Sequence, residues 1–137
     1  MKKIEIITVP YEKQRYETVG DYYRKNGKWV IATSKMKDWR YEMLIAIHEV
    51  IELTLIRERG ITVKEIEDFD KKWDKEYERG LHSKKDEPGF DKRAPFRKEH
   101  AFATKIEKML AKELGVDWKK YEKDVVSLYS DTWNKAI

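Results

Sequence analysis

Tyr41-Glu-Met-Leu-Ile-Ala-Ile-His-Glu-Val-Ile-Glu-Leu-Thr-Leu-Ile56 is the most apolar segment of the chain, and it carries His48-Glu49-Val50-Ile51-Glu52 within it. On a helical wheel Leu44, Ile45, Ile51, Leu55 and Ile56 form one arc, with His48 and Glu52, one turn apart, in its middle. Two titratable groups therefore point into the core. An uncompensated buried ion costs on the order of several kcal/mol, against roughly 5–15 kcal/mol for the net stability of a domain, so Glu52 requires a cation, a strong donor or a proton.

Outward from this segment, Asp38 is placed to cap the helix N-terminus and Gly60, after Arg57 and Arg59, to end it, which predicts a helix over 39–59. Upstream, Asn26-Gly27 separates two strand-like runs. That dipeptide readily takes positive φ at both central turn positions, so 21–33 reads as a two-residue hairpin. Ile4 to Val9, β-branched and bounded by Pro10, reads as a first strand, and 11–20 as an irregular connection.

Downstream, Thr62-Val-Lys-Glu65 is a capping box opening a helix whose stripe is Ile66, Phe69, Trp73 and Tyr77, with Asp70 inside it. Residues 81–94 read as a long loop of the kind that borders sites. Pro95 suits the first turn of a third helix, with Phe102, Ala103, Ile106, Met109, Leu110 and Leu114 as its core face, Glu99 near the centre of that face and His100 at its edge. Asp117 caps a last helix presenting Trp118, Tyr121, Val125 and Leu128, which Trp133 extends. The expected architecture is one α+β domain over residues 1–137, a small antiparallel sheet with an N-terminal hairpin packed against about four helices.

Composition sets the outer bounds. The 137 residues are 40% hydrophobic and 41% charged, enough apolar material for one modest core. Thirty basic and twenty-six acidic side chains are interspersed and leave a net charge of +4, which reads as a solvated surface and does not indicate nucleic acid. Absence of cysteine excludes disulfides, thiolate nucleophiles and cysteine-ligated metals, so any metal sits on His, Asp or Glu. Neither the N-terminus nor the 43–56 run has the length and apolarity of a bilayer span, and a soluble cytoplasmic protein is the default expectation.

His48-Glu-x-x-Glu52 resembles the His-Glu-x-x-His helix of zincin metallopeptidases, where ligands at i and i+4 hold a metal and the intervening Glu activates water. Here the second ligand position is a carboxylate. With His100 added, the inventory is two His and one carboxylate, a set suited to catalytic zinc or another divalent cation. Glu49 would then handle protons, although the wheel places it with Glu42 towards the polar side. Asp70 and Glu99 are candidates for outer support or alternative ligation. The competing account is that His48 and Glu52 bond one another or meet an arginine.

Two further patterns carry chemistry. Glu49-x-x-Glu52 with Glu65-x-x-Asp68 looks like the acidic signature of all-α nucleoside triphosphate pyrophosphohydrolases, but the capping box already explains Glu65 and the hairpin does not suit an all-α fold. His82, in a Lys- and Ser-rich loop, reads as solvent-facing. The rings at 22, 23, 29, 39 and 41 read as core between hairpin and helix rather than as base-stacking platforms.

Through Ile7-Thr-Val-Pro, Thr18-Val-Gly-Asp, Asp38-Trp-Arg-Tyr-Glu, Ile47-His-Glu-Val-Ile-Glu52, Phe69-Asp70, Glu87-Pro-Gly, Ala94-Pro-Phe, Glu99-His100 and Leu114-Gly-Val-Asp-Trp118, the chain resembles a family of short, uncharacterised proteins encoded by bacteriophages and prophages. The resemblance implies a phage-related origin and a bacterial cytoplasm, and brings no activity with it. From the residues, the expected function is divalent-metal binding, as in a zincin-like hydrolase acting on a peptide or small molecule. The alternative is a non-catalytic accessory protein that binds a phage or host partner.

Overall fold

The computed structural model describes residues 3–129. Its strands are β1 (Ile4–Val9), β2 (Gly20–Lys25) and β3 (Lys28–Ser34), and its helices α1 (Trp39–Glu58), α2 (Val63–Glu78), α3 (Arg97–Glu113) and α4 (Trp118–Leu128). The class is α+β, as expected. The hairpin turns on Asn26 and Gly27, both at positive φ (51° and 77°), which matches the right-handed twist of the flanking strands.

The sheet, however, is mixed rather than antiparallel. Its order is β1-β3-β2, with β1 parallel to β3 and β2 antiparallel to it. The long connection after Pro10 carries the chain across β3 instead of folding it back beside β1. Gln14 fastens this crossing, donating to the Ala32 carbonyl and to Ser34 Oγ. Asp38, the Thr62–Glu65 capping box and Asp117 all cap as the sequence indicates. Helix α3 begins two residues after Pro95. Trp133 lies outside the described residues.

Helix α1 is the hub, packed on β2 and β3 on one side and on α3 on the other. Being apolar nearly all round, it has no wide polar face: Tyr41, Leu44, Ile45, His48, Glu49, Glu52, Leu53 and Ile56 are all buried, while Ile51 and Leu55 are half-buried. This corrects the placement of Glu49. It does not face solvent, because what the wheel showed as the polar side is the side that meets β2.

On α3 the inward stripe is His100, Ala103, Glu107 and Ala111, and Phe102 and Met109, expected inside, are 46% and 57% exposed. Small and ionisable residues line this helix contact, so apolar periodicity alone pointed to the wrong side. Tyr22, Trp29 and Tyr41 are core, whereas Trp39 is exposed. Among the described residues no helix is long and apolar enough to cross a membrane.

Candidate metal centre

Where α1 meets α3, three donor atoms converge. His48 Nε2 lies 3.0 Å from Glu52 Oε2 and 3.1 Å from His100 Nδ1, and His100 Nδ1 lies 3.0 Å from the same Glu52 oxygen. His48 and Glu52 share a face of α1 because they are one turn apart. His100 arrives from α3, whose Ala103 has no long side chain to hold the helices apart. All three residues are buried, and the group could hold a metal ion. An ion held here would take one donor atom from each of His48, Glu52 and His100.

The outer atoms decide what the inner ones carry. His48 Nδ1 is 2.7 Å from Glu107 Oε1, and His100 Nε2 is 3.0 Å from Glu87 Oε1. Carboxylates accept only, so each takes an N–H from its ring. In neutral imidazoles this leaves lone pairs on His48 Nε2 and His100 Nδ1, both turned to the Glu52 oxygen. Three acceptors at mutual contact repel unless a cation or added protons lie between them. Tyr22 Oη donates to the other Glu52 oxygen at 2.9 Å, and Tyr121 Oη to Glu107 Oε2 at 2.5 Å. Burial, with the neighbouring carboxylates, raises both phenols well above the usual range and keeps them donors.

Electrostatics agree with this wiring. Burial opposes charge on His48, but hydrogen bonds to Glu107 and Glu52 overcome it and lift the imidazole to about 11. Burial likewise opposes charge on His100, which Glu52 and Glu87 nevertheless raise to about 9. Glu52 would be pushed up by burial, yet the two imidazoles bring it down to about 2. Without a metal the group therefore binds protons in its place.

Glu49 packs against β2, where a Cβ on Gly20 would fall 2.5 Å from its Oε1. Only 9% exposed, it faces a cavity of about 750 Å³ that His48, Glu52 and His100 also line. Burial, then the Glu52 charge, raises its carboxyl well above the ordinary value. Asp70 lines the same cavity from α2 without bonding the triangle. Glu99 is elsewhere engaged: it is buried and paired with Arg59 at 2.7 Å, and so is neither ligand nor support.

Glu65 is held by Thr62, and Asp68 is exposed and paired with Lys64, so the second acidic pair does not join Glu49 and Glu52. His82 is not solvent-facing. It stacks on Trp73 at 3.5 Å and bonds Glu76, because the 81–94 loop folds back over α2.

Sequence reasoning missed Glu107, Glu87, Tyr22, Tyr121, Gly20 and Gly89. Glu107 was findable: seven residues after His100, it lies two turns along on the same face. Tyr121 was placed in the core, where a phenol needs an acceptor. Replacing Glu107 with Gln removes the charge that fixes His48 and is expected to weaken any affinity of the group for an added divalent ion about 10–100-fold, read by competition with a chromophoric chelator; an unchanged affinity would discard this wiring. No protein-family model, curated protein or solved structure matches the chain.

Proposed function

We propose that the protein is a divalent-metal protein with His48, Glu52 and His100 as ligands and zinc as the ion, acting as a hydrolase in which Glu49 moves the proton. The observation that carries this reading is the convergence of two imidazole nitrogens and one carboxylate oxygen within 3.1 Å, their outer N–H groups tied to Glu107 and Glu87. Two histidines and a carboxylate leave room in the coordination shell for water or substrate. The ion would supply Lewis acidity to a substrate oxygen and to water.

Protein groups do the rest. Glu49, next to His48 in sequence and one helical turn from Glu52, has no bond among the described residues and stands at the cavity wall, free to take a proton from water and return it to a leaving group. Its raised affinity for a proton suits it to the acid half of that cycle, and a cation beside it would favour the base half. Tyr22 steadies Glu52 through the oxygen that does not face the histidines.

Glu49→Gln is expected to keep one zinc per chain and to lose turnover about 10²–10⁴-fold on whichever of a panel of chromogenic peptides, esters and phosphodiesters the wild type cleaves. Undiminished turnover in that variant would remove Glu49 from the reaction. A wild type that is well folded and metal-free after gentle purification would remove the metal reading itself. The exposed rings and thioethers of Trp39, Met43, Phe102 and Met109 favour the second reading, a phage-related accessory protein whose role is to bind a partner.

A further inference from the structure

Three buried or half-buried carboxyl groups face one cavity without a partner among the described residues. Glu49 is more than nine-tenths buried, and the half-buried Asp70 and Asp74, one turn apart on α2, line the same space; among the described residues none of the three makes a hydrogen bond or an ion pair. The chain does not lack cations, with thirty lysines and arginines. Other acids of the fold have found them: Asp21 meets Arg15, Glu99 meets Arg59, and Glu76 meets Arg93. The cation whose charge acts on Asp70 is Arg15, already shared between Asp21 and Glu67.

Burial therefore raises Asp70 to about 8 and Asp74 to about 7, with Asp21, Glu52 and Asp74 adding to the first and Glu17 and Glu78 to the second. Half-buried carboxyls without a counter-charge cost stability, and a cavity wall is where such a cost is recovered by a ligand. The other lining groups narrow the ligand. Tyr16, Tyr22, Trp73 and Tyr77 border the cavity alongside the acids, and aromatic faces with carboxylates make a cage for an alkylammonium or guanidinium group. Arg15, Lys84, Lys85, Lys119 and Lys123 line the cavity too, but its acids outnumber them, and a cation brought against Asp70 and Asp74 would favour their ionised forms.

We infer that this cavity takes a substrate bearing a guanidinium or ammonium group, with that charge against Asp70 and Asp74 and the scissile part towards Glu49 and the His48–Glu52–His100 group. Only the second half of the inference rests on the metal reading. Both halves concern a small cationic side chain or its free amine, and the size of the cavity suits either.

The test compares N-acetyl-arginine amide with N-acetyl-citrulline amide, which keeps the shape and loses the charge, by titration calorimetry on the full chain. The arginine compound is expected to bind at least tenfold more tightly. Asp70→Asn with Asp74→Asn is expected to erase that preference, while His48→Ala, stripped of zinc, is expected to retain it. The double variant should fold, because each raised acid costs stability that grows from about pH 4, where the unfolded group ionises, and is complete above its folded value, and the amides remove that cost. Equal affinity for the two compounds, no binding of either at millimolar concentration, or a preference that survives the double substitution would each overturn the inference. Loss of the preference in His48→Ala alone would overturn the assignment to Asp70 and Asp74, whereas a wild type that is metal-free as purified and still prefers arginine would overturn only the metal reading.

Discussion

His48→Ala is expected to abolish stoichiometric zinc binding, the largest single effect in this molecule. The ring supplies one corner of the donor triangle and also connects it to α3, since its other nitrogen holds Glu107, which in turn holds Tyr121. Outer partners alone are worth about 10–100-fold in affinity, so loss of a ligand is expected to exceed a hundredfold. Zinc content by mass spectrometry of the intact protein should fall from one per chain to none. His48→Ala still carrying one zinc would place the metal elsewhere.

The same ring gives the site a pH signature. Folded His48 and His100 hold their protons to about 11 and about 9, above the ordinary imidazole value of 6.5. Raised imidazole values mean that the stability they contribute is complete below about pH 6.5. It declines as pH rises, levelling first beyond about 9 for His100 and then beyond about 11 for His48. The groups that set this are Glu52 and Glu49 on α1, Glu107 on α3 and Glu87 in the loop. Chelator-treated protein is therefore expected to melt progressively lower between pH 7 and 10. Zinc at about 100 times its dissociation constant restores about 2.7 kcal/mol, and at a fixed zinc concentration the gain grows towards alkaline pH, because protons no longer compete. A melting temperature indifferent to zinc across that range would contradict the proton-for-metal exchange.

How much of this was legible depended on whether a residue's partner lay close in the chain. The hairpin announced itself in Asn26-Gly27, and the caps at Asp38, Thr62 and Asp117 lie within three residues of the N–H groups they satisfy. His48 and Glu52 were visible because one helix holds both. The mixed sheet was not, since nothing local says that the chain after Pro10 crosses β3 before pairing.

Glu49 was misplaced for a related reason. A wheel divides a helix into inside and outside, and α1, between sheet and helix, has two insides. On α3, the burial of His100 and Glu107 in place of Phe102 and Met109 reverses the usual hydrophobic rule. There the helix contact is organised around polar atoms that satisfy one another, and hydrophobicity carries no record of it. Glu87 gave no signal at all, because its reach to His100 depends on how the 81–94 loop closes.

That closure leads to the second large effect, Gly89→Ala. Gly89 is buried in the short 3₁₀ turn Pro88–Phe90, which lies directly on the His100 ring; an added Cβ would stand 2.2 Å from Cγ and 2.5 Å from Cδ2 and Nδ1. Separations under 3 Å cannot be absorbed, so either the ring or the turn must move. The ring is held edge-on by Phe90, centroids 4.7 Å apart, and its Nε2 by Glu87. Either movement takes Nδ1 away from Glu52 and His48, and zinc affinity is expected to fall at least a hundredfold. Overpacking of this kind costs about 1–3 kcal/mol in the metal-free protein.

A double-mutant cycle isolates the cause. If the collision is with the imidazole, Gly89→Ala should cost almost nothing in a His100→Ala background, giving a coupling of about 1–2 kcal/mol in chemical denaturation. Additive losses would mean that alanine disturbs the turn by itself, and that the glycine is not what lets the loop press His100 into the triangle.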